Sequence, residues 1–212
     1  MKKILSVVGA RPNFMKVAPI HRAFQRYSPE IEHSIVHTGQ HYDTKMSDTF
    51  FQDLDMPEPA VFLGIGSGSH AVQTAKVMVE FEKVCESMRP DIVIVVGDVN
   101  STVGCSLVSV KMGIPTAHVE AGLRSFDRAM PEEINRLATD AICDYWFVTE
   151  QSGIDELRKQ GAPENNIFFV GNTMIDSLHY ALPKAKKLQF INELGLTEKN
   201  YALITMHRPS NV

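Results

Sequence analysis

The amino-acid sequence predicts an α/β fold in which a parallel sheet is covered by helices on both faces. Three observations carry this. Strand-like and helix-like segments alternate along the chain. The strand-like segments are unbroken apolar runs such as Ile92-Val93-Ile94-Val95-Val96, which suit burial on both faces. Glycine, proline or charged residues close most of these runs.

In order, residues 4–8 form the first strand and 14–27 its helix, with Pro12 at the helix start, where a missing N–H costs nothing. Residues 31–38 are the second strand and 44–54 the next helix. Then come strand 91–97 with helix 101–112, strand 114–119 with helix 132–142, strand 145–149 with helix 152–160, and strand 166–170 with helix 173–182. Right-handed crossovers place every strand-to-helix loop on one edge of the sheet, so residues 9–12, 38–41, 97–100, 120–124 and 171–173 converge there. Past Leu182 the segment Pro183-Lys184-Ala185-Lys186-Lys187 is basic, a short amphipathic piece runs to Leu196, and 201–206 reads as a fresh strand. The expected organisation is a domain over 1–182, a crossover over 183–200 and, over 201–212, the first strand of a second, truncated domain. A single domain with a tail strand at its sheet edge is the alternative.

Composition bounds the function. The 212 residues are 44% hydrophobic and 22% charged, an ordinary globular balance. A formal net charge of −4 argues against a nucleic-acid partner, which would require a basic face. No run approaches the roughly 18 apolar residues of a membrane helix, and 4–8 is too short an apolar stretch for a secretory signal, so the expected location is cytoplasmic, with no membrane partner. Cys85, Cys105 and Cys143 are odd in number and far apart, and read as buried small apolar residues rather than a disulfide framework or a zinc cluster. Small molecules are the expected partners.

The chemistry-bearing residues fall on the shared edge. The stretch HVEAGLRSFDRAMPEEINR, residues 118–136, sets several carboxylates and three arginines directly after strand 114–119, with Glu120 the first residue past it and pointing into the crevice. Arg11 and Lys16 flank the start of the first helix, where free N–H groups and the helix dipole favour a phosphate or carboxylate; solvated surface cations would give the same pattern. Asn100 or Ser101 can cap the helix that follows Asp98, which leaves Asp98 one position too early to cap and free to face the crevice. Glu132 and Glu133 follow Pro131 at a helix start, and Arg136 lies four residues past Glu132, so an i,i+4 salt bridge and the dipole would explain them without catalysis. Convergence decides the matter, because Asp98, Glu120 and Glu132 would share one rim with Arg11, Lys16, Arg124 and Arg136. The glycine-rich segment 64–69 lacks the spacing and partner acid of a dinucleotide site and reads as a mobile loop.

Seven motifs, GARPNFMK, TGQHYD, VVGDVNST, HVEAGLRS, MPEEINR, VGNTMID and MHRPSN, occur in this order across the whole chain. Together they closely resemble the non-hydrolysing UDP-N-acetylglucosamine 2-epimerases. The resemblance implies a Rossmann-like, doubly wound parallel sheet forming the first half of a two-domain GT-B-type architecture, with the active site between the domains. It implies interconversion of UDP-N-acetylglucosamine and UDP-N-acetylmannosamine, by elimination of UDP to 2-acetamidoglucal and re-addition, with no nicotinamide or other cofactor. It implies a role in nucleotide-sugar supply for cell-surface polysaccharide, and a homodimer. The chemistry suits the residues: breaking the anomeric bond leads, so cations must await the diphosphate and carboxylates the ring, and three clustered carboxylates should leave at least one with a raised pKa.

By motif match, Asp98, Glu120 and Glu132 correspond to the family's acidic residues around the sugar, with Asp98 as base and Glu120 as acid or electrostatic partner. Arg11, Lys16 and Arg136 match its substrate-contacting cations, and His207 a histidine near the diphosphate. Gln40 and His41 lie where some members bind a second, activating UDP-N-acetylglucosamine, yet an Arg-Gln pair of those members is replaced here by Ser67-Gly68-Ser69. A UDP-sugar-dependent glycosyltransferase, a hydrolysing epimerase that releases N-acetylmannosamine, and a non-catalytic sugar-nucleotide-binding domain are the competing readings. With one wall of the cleft, residues 1–212 alone are expected to fold but not to turn over.

Overall fold

The computed structural model of the chain describes residues 1–39, 51–188, 190–197 and 199–206. Its strands, β1 (Lys2–Val8), β2 (Ile31–His37), β3 (Val61–Phe62), β4 (Ile92–Val96), β5 (Thr116–Ala121), β6 (Tyr145–Val148) and β7 (Ile167–Phe169), form one sheet in the order β3-β2-β1-β4-β5-β6-β7. Every neighbouring pair is parallel. The order reverses direction between β1 and β4, and such a switch point opens a crevice beyond the carboxyl ends of the strands.

Alternation along the strands builds two cores. Leu5, Val7, Val93 and Val95 face one side, where they meet Val77 and Phe81 of helix α2 (His70–Met88), Cys105 and Val108 of α3 (Asn100–Lys111) and Leu157 of α5 (Gln151–Lys159). Ile4, Val8, Ile94 and Val96 face the other, against Phe14, Val17 and Ala18 of α1 (Arg11–Gln25). Burial on both faces is why the strands contain so few polar residues. Helix α4 (Pro131–Ile142) packs against α3, and α6 (Thr173–Ala185) crosses back onto α1. All three cysteines are buried and unbridged, and burial pushes the Cys85 and Cys143 thiols up to about 12.

Several expectations need correction. The longest helix, α2, and the two-residue strand β3 were not anticipated. The helix expected over 44–54 lies mostly outside the described residues. The strand expected at 114–119 is shifted to Thr116–Ala121, so Glu120 lies within it. Within segment 64–69, Ile65 N–H donates to Thr38 O at 3.0 Å and Gly66 N–H to Gly39 O at 3.0 Å, and Ile65 is buried, while 67–69 are exposed. Helix α6 continues through Pro183 to Ala185 rather than ending at Leu182. Residues 201–206 are exposed and pair with none of the described strands, so they are not a tail strand at the edge of this sheet.

Candidate active site

The crevice is built by the loops after β1, β4 and β5 together with α4. At the start of α1 the Asn13 side chain accepts the N–H groups of Gly9 and Ala10, each at 2.9 Å, and donates to Val96 O at 3.2 Å. That buried amide joins the first loop to the end of β4. Arg11 is exposed at the mouth and makes no ion pair among the described residues. One turn further on, Lys16 is buried and its ammonium forms an ion pair with Glu120.

Glu120 reaches that ammonium through a bulge. The β5–β6 register shifts between Val119 and Ala121, and Glu120 takes φ +70°, a left-handed conformation that non-glycine residues rarely hold. Strain of this kind concentrates at functional sites, where the surroundings over-determine it. Beneath the pair lies Gly97, at φ +68°; a Cβ there would stand 2.9 Å from Lys16 Nζ and 3.5 Å from Glu120 Oε2. Asp98 follows immediately, and its carboxylate pairs with Arg136 of α4. Burial pushes the Asp98 carboxyl above the ordinary range, against the pull of Arg136 and Lys16, while the Glu120 and Glu132 charges add to the rise. Those four charges surround Asp98, so Lys16, Asp98, Glu120, Glu132 and Arg136 share one rim.

The structure rearranges some expected partnerships. Glu132 is exposed and does not pair with Arg136; its neighbour Glu133 is the buried one. Glu133 accepts from Arg136 Nε at 3.1 Å, from the Ser125 amide and hydroxyl at 2.9 and 3.0 Å, and from the Phe126 amide at 3.1 Å. Burial would raise the Glu133 carboxyl, but the bonds from Ser125, Arg136 and Phe126 outweigh it and hold it below the usual range. Arg124 turns inward instead of lining the crevice, with its side chain 2% exposed and paired with Asp140 at 2.7 Å. Neither Asn100 nor Ser101 caps α3: its N-cap is Val99, Ser101 bonds Thr38 Oγ1 at 2.7 Å, and Asn100 bonds Gln73 at 2.9 Å. Asn135 Nδ2 donates to Asp98 O at 2.9 Å and thereby pins the loop to α4. Gln40, His41 and His207 lie outside the described residues.

Asn13, Asn135, Glu133, His118 and Asp140 were missed as parts of the site. The motif stretches contain four of them, and Asp140 follows in the same helix; what no spacing shows is which side chains turn inward. Chemically, the rim offers a half-buried carboxyl that holds its proton more tightly than usual, acidic neighbours, and cations fixed in pairs, an arrangement suited to moving a proton beside a ligand that carries negative charge.

The site has close parallels. A family model described as UDP-N-acetylglucosamine 2-epimerase matches residues 22–212. A UDP-N-acetylglucosamine 2-epimerase homolog of Methanococcus maripaludis is 46% identical over 99% of this chain and 58% of its own length. The UDP-2,3-diacetamido-2,3-dideoxy-D-glucuronate 2-epimerase of Pseudomonas aeruginosa is 40% identical over the same shares. The crystal structure of Methanocaldococcus jannaschii UDP-GlcNAc 2-epimerase in complex with UDP-GlcNAc and UDP superposes with a TM-score of 0.86 at 44% identity, covering 91% of this chain and 52% of that one. The chain thus spans a little over half the length of these relatives, and its sheet is the Rossmann-like part of their GT-B-type fold. With its switch-point crevice and its match over residues 22–212, the chain belongs to the UDP-N-acetylglucosamine 2-epimerase family.

Proposed function

We propose that the full-length protein interconverts UDP-N-acetylglucosamine and UDP-N-acetylmannosamine by eliminating UDP and adding it back. The observation that carries this reading is Asp98, a carboxyl with a raised pKa set among Arg136, Lys16, Glu120 and Glu132 at the switch point. The bond from the anomeric carbon to the diphosphate breaks first, with its electron pair leaving on UDP. Asp98 takes the proton from the carbon bearing the acetamido group, and the double bond of 2-acetamidoglucal forms. Return of a proton to the opposite face and re-bonding of UDP complete the inversion. Glu120 acts as acid or electrostatic partner, and Glu132 steadies positive charge on the ring. Arg11, Lys16 and Arg136 receive the substrate and its developing negative charge, and His207, by its MHRPSN motif, is the histidine assigned to the diphosphate.

The wider organisation follows the same reading. Residues 1–182 form the first domain, 183–200 the crossover and 201–212 the opening of the second domain. The protein works in the cytoplasm as a homodimer and supplies nucleotide sugar for cell-surface polysaccharide. Activation by a second UDP-N-acetylglucosamine near Gln40 and His41 belongs to members that carry the Arg-Gln pair, which Ser67-Gly68-Ser69 replaces in this chain.

Incubating the full-length protein with UDP-N-acetylglucosamine alone in deuterated water tests the proposal. The expected product is the manno isomer, still joined to UDP and carrying deuterium at the epimerised carbon. A glycosyltransferase or a binding domain gives no manno isomer, and a hydrolysing enzyme releases the free sugar. Asp98→Asn should lower kcat by about 10²-fold or more, the ordinary range for losing a general base. The diacetamido glucuronate nucleotide belongs in the same assay, because the Pseudomonas aeruginosa relative is named for it.

A further inference from the structure

Behind the rim lies a buried pair that the mechanism above leaves unused. The side chains of His118 on β5 and Asp140 on α4 are both closed to solvent, with His118 Nδ1 2.7 Å from Asp140 Oδ1. On its other side the imidazole Nε2 donates to Gly97 O at 2.8 Å. Asp140 Oδ2 accepts the Gly122 N–H at 3.0 Å and pairs with Arg124 at 2.7 Å. A carbonyl faces one ring nitrogen and a carboxylate the other, so the imidazole bridges the loop after β4 to helix α4.

The connections matter because of what adjoins them. Gly97 immediately precedes Asp98, and Gly122 comes two residues after Glu120, so one imidazole–carboxylate pair grips the backbone beside both crevice carboxylates. Removing such charges from water is costly, and apolar side chains would fill the same space without that cost. We infer that His118 and Asp140 are positioning residues, holding the Gly97 carbonyl and the Gly122 amide so that Asp98 and Glu120 address one hexose together. This deepens the epimerase reading and rests on it.

The test uses the full-length protein. Asp140→Asn keeps the side chain's shape but turns one acceptor oxygen into a donor facing N–H groups. The expected result is a fall in kcat on the order of 10²-fold with KM for UDP-N-acetylglucosamine changed by less than about threefold, the pattern of a misaimed reacting group rather than lost binding. In 15N-histidine spectra the His118 ring resonances should shift between the wild-type protein and the variant, marking the altered Nδ1 contact with residue 140. If Asp140→Asn does not fold, His118→Gln takes its place, since its amide can replace Nε2 as donor to Gly97 while leaving Asp140 without its partner. A folded variant with wild-type kcat, or one whose loss lies wholly in KM, overturns the inference, as do His118 ring resonances that do not move between wild type and variant. Wild-type protein that makes no epimer is a separate outcome, visible before any substitution, and removes the epimerase reading together with this one.

Discussion

Gly97 sets how closely Lys16 can approach the loop that bears Asp98. Its φ of +68° is one that an L side chain resists, and an added Cβ would meet Lys16 Nζ at 2.9 Å. Gly97→Ala therefore strains the backbone and displaces the ammonium from Glu120. The expected cost is about 1–2 kcal/mol in unfolding free energy, with a fall in kcat of about tenfold or more, measured by urea titration and epimerase assay on full-length protein. Unchanged kcat in that variant would show that the Lys16–Glu120 contact does not matter to turnover. At this scale the sequence was partly legible. Charge type and motif position singled out Asp98, Glu120, Lys16 and Arg136, because loops after parallel strands must converge. Glu132 against Glu133 was not separable: both stand at a helix start, and a 100° turn between neighbours decides which is buried and which exposed. The bulge at Glu120 left no mark in composition, and Arg124 looked like a crevice cation until Asp140 drew it inward.

Helix α6 is held to α1 by a small set of contacts. Ser177 Oγ donates to Met15 O at 2.6 Å, the Arg22 guanidinium lies 4.0 Å over the Tyr180 ring, and the Tyr180 hydroxyl bonds Asp55. Elsewhere α6 is mostly exposed, including Ile175 and Leu178, so these contacts carry much of its attachment. Tyr180→Ala removes the cation–π contact and the hydroxyl bond together, and should lower stability by about 1–2 kcal/mol in chemical unfolding, while Tyr180→Phe loses only the smaller, hydroxyl part. Equal loss in the two variants would mean that the ring contributes nothing. Among the elements, strands with unbroken β-branched runs were legible, since nothing else in the chain resembles them. Helix α2 was overlooked even though Ser69 caps it, accepting from Val72 N–H at 3.3 Å, Gln73, Val77, Phe81 and Val84 recur at helical spacing, and Arg89 closes it in a left-handed turn before Pro90. Two-residue β3 was illegible, because its pairing with Val36 and His37 is tertiary and no periodicity exists over so short a span.

The same doubly covered sheet that builds the crevice also encloses histidines. His33 bonds Ser6 Oγ at 2.8 Å and lies against His21, while His37 accepts the Gly39 N–H at 2.8 Å among the rings of Phe14 and Phe62. Burial lowers His33 and His37 to about 4, with the His21 charge adding to the effect at His33, and lowers His21 as well. His33 and His37 stay neutral in the folded chain down to about 4 and His21 takes up a proton less readily than usual, whereas the unfolded chain takes up protons once the pH drops below about 6.5. Their contribution is therefore whole above that value and is lost as the pH falls toward 4, each histidine steepening the decline by up to about 1.4 kcal/mol per pH unit. Asp98, whose carboxyl is raised, works in the opposite direction, but it is one group against three; Glu133 and Asp140, whose carboxyls are lowered, act only at more acid pH. Thermal unfolding followed from pH 7.5 to 4.5 should show Tm dropping through this window, and His33→Gln should flatten the drop relative to wild type even if it lowers Tm at pH 7.5. A Tm that holds level from pH 6.5 to 4.5 would mean that these imidazoles are reached by water and protonated in the folded protein, contrary to their burial.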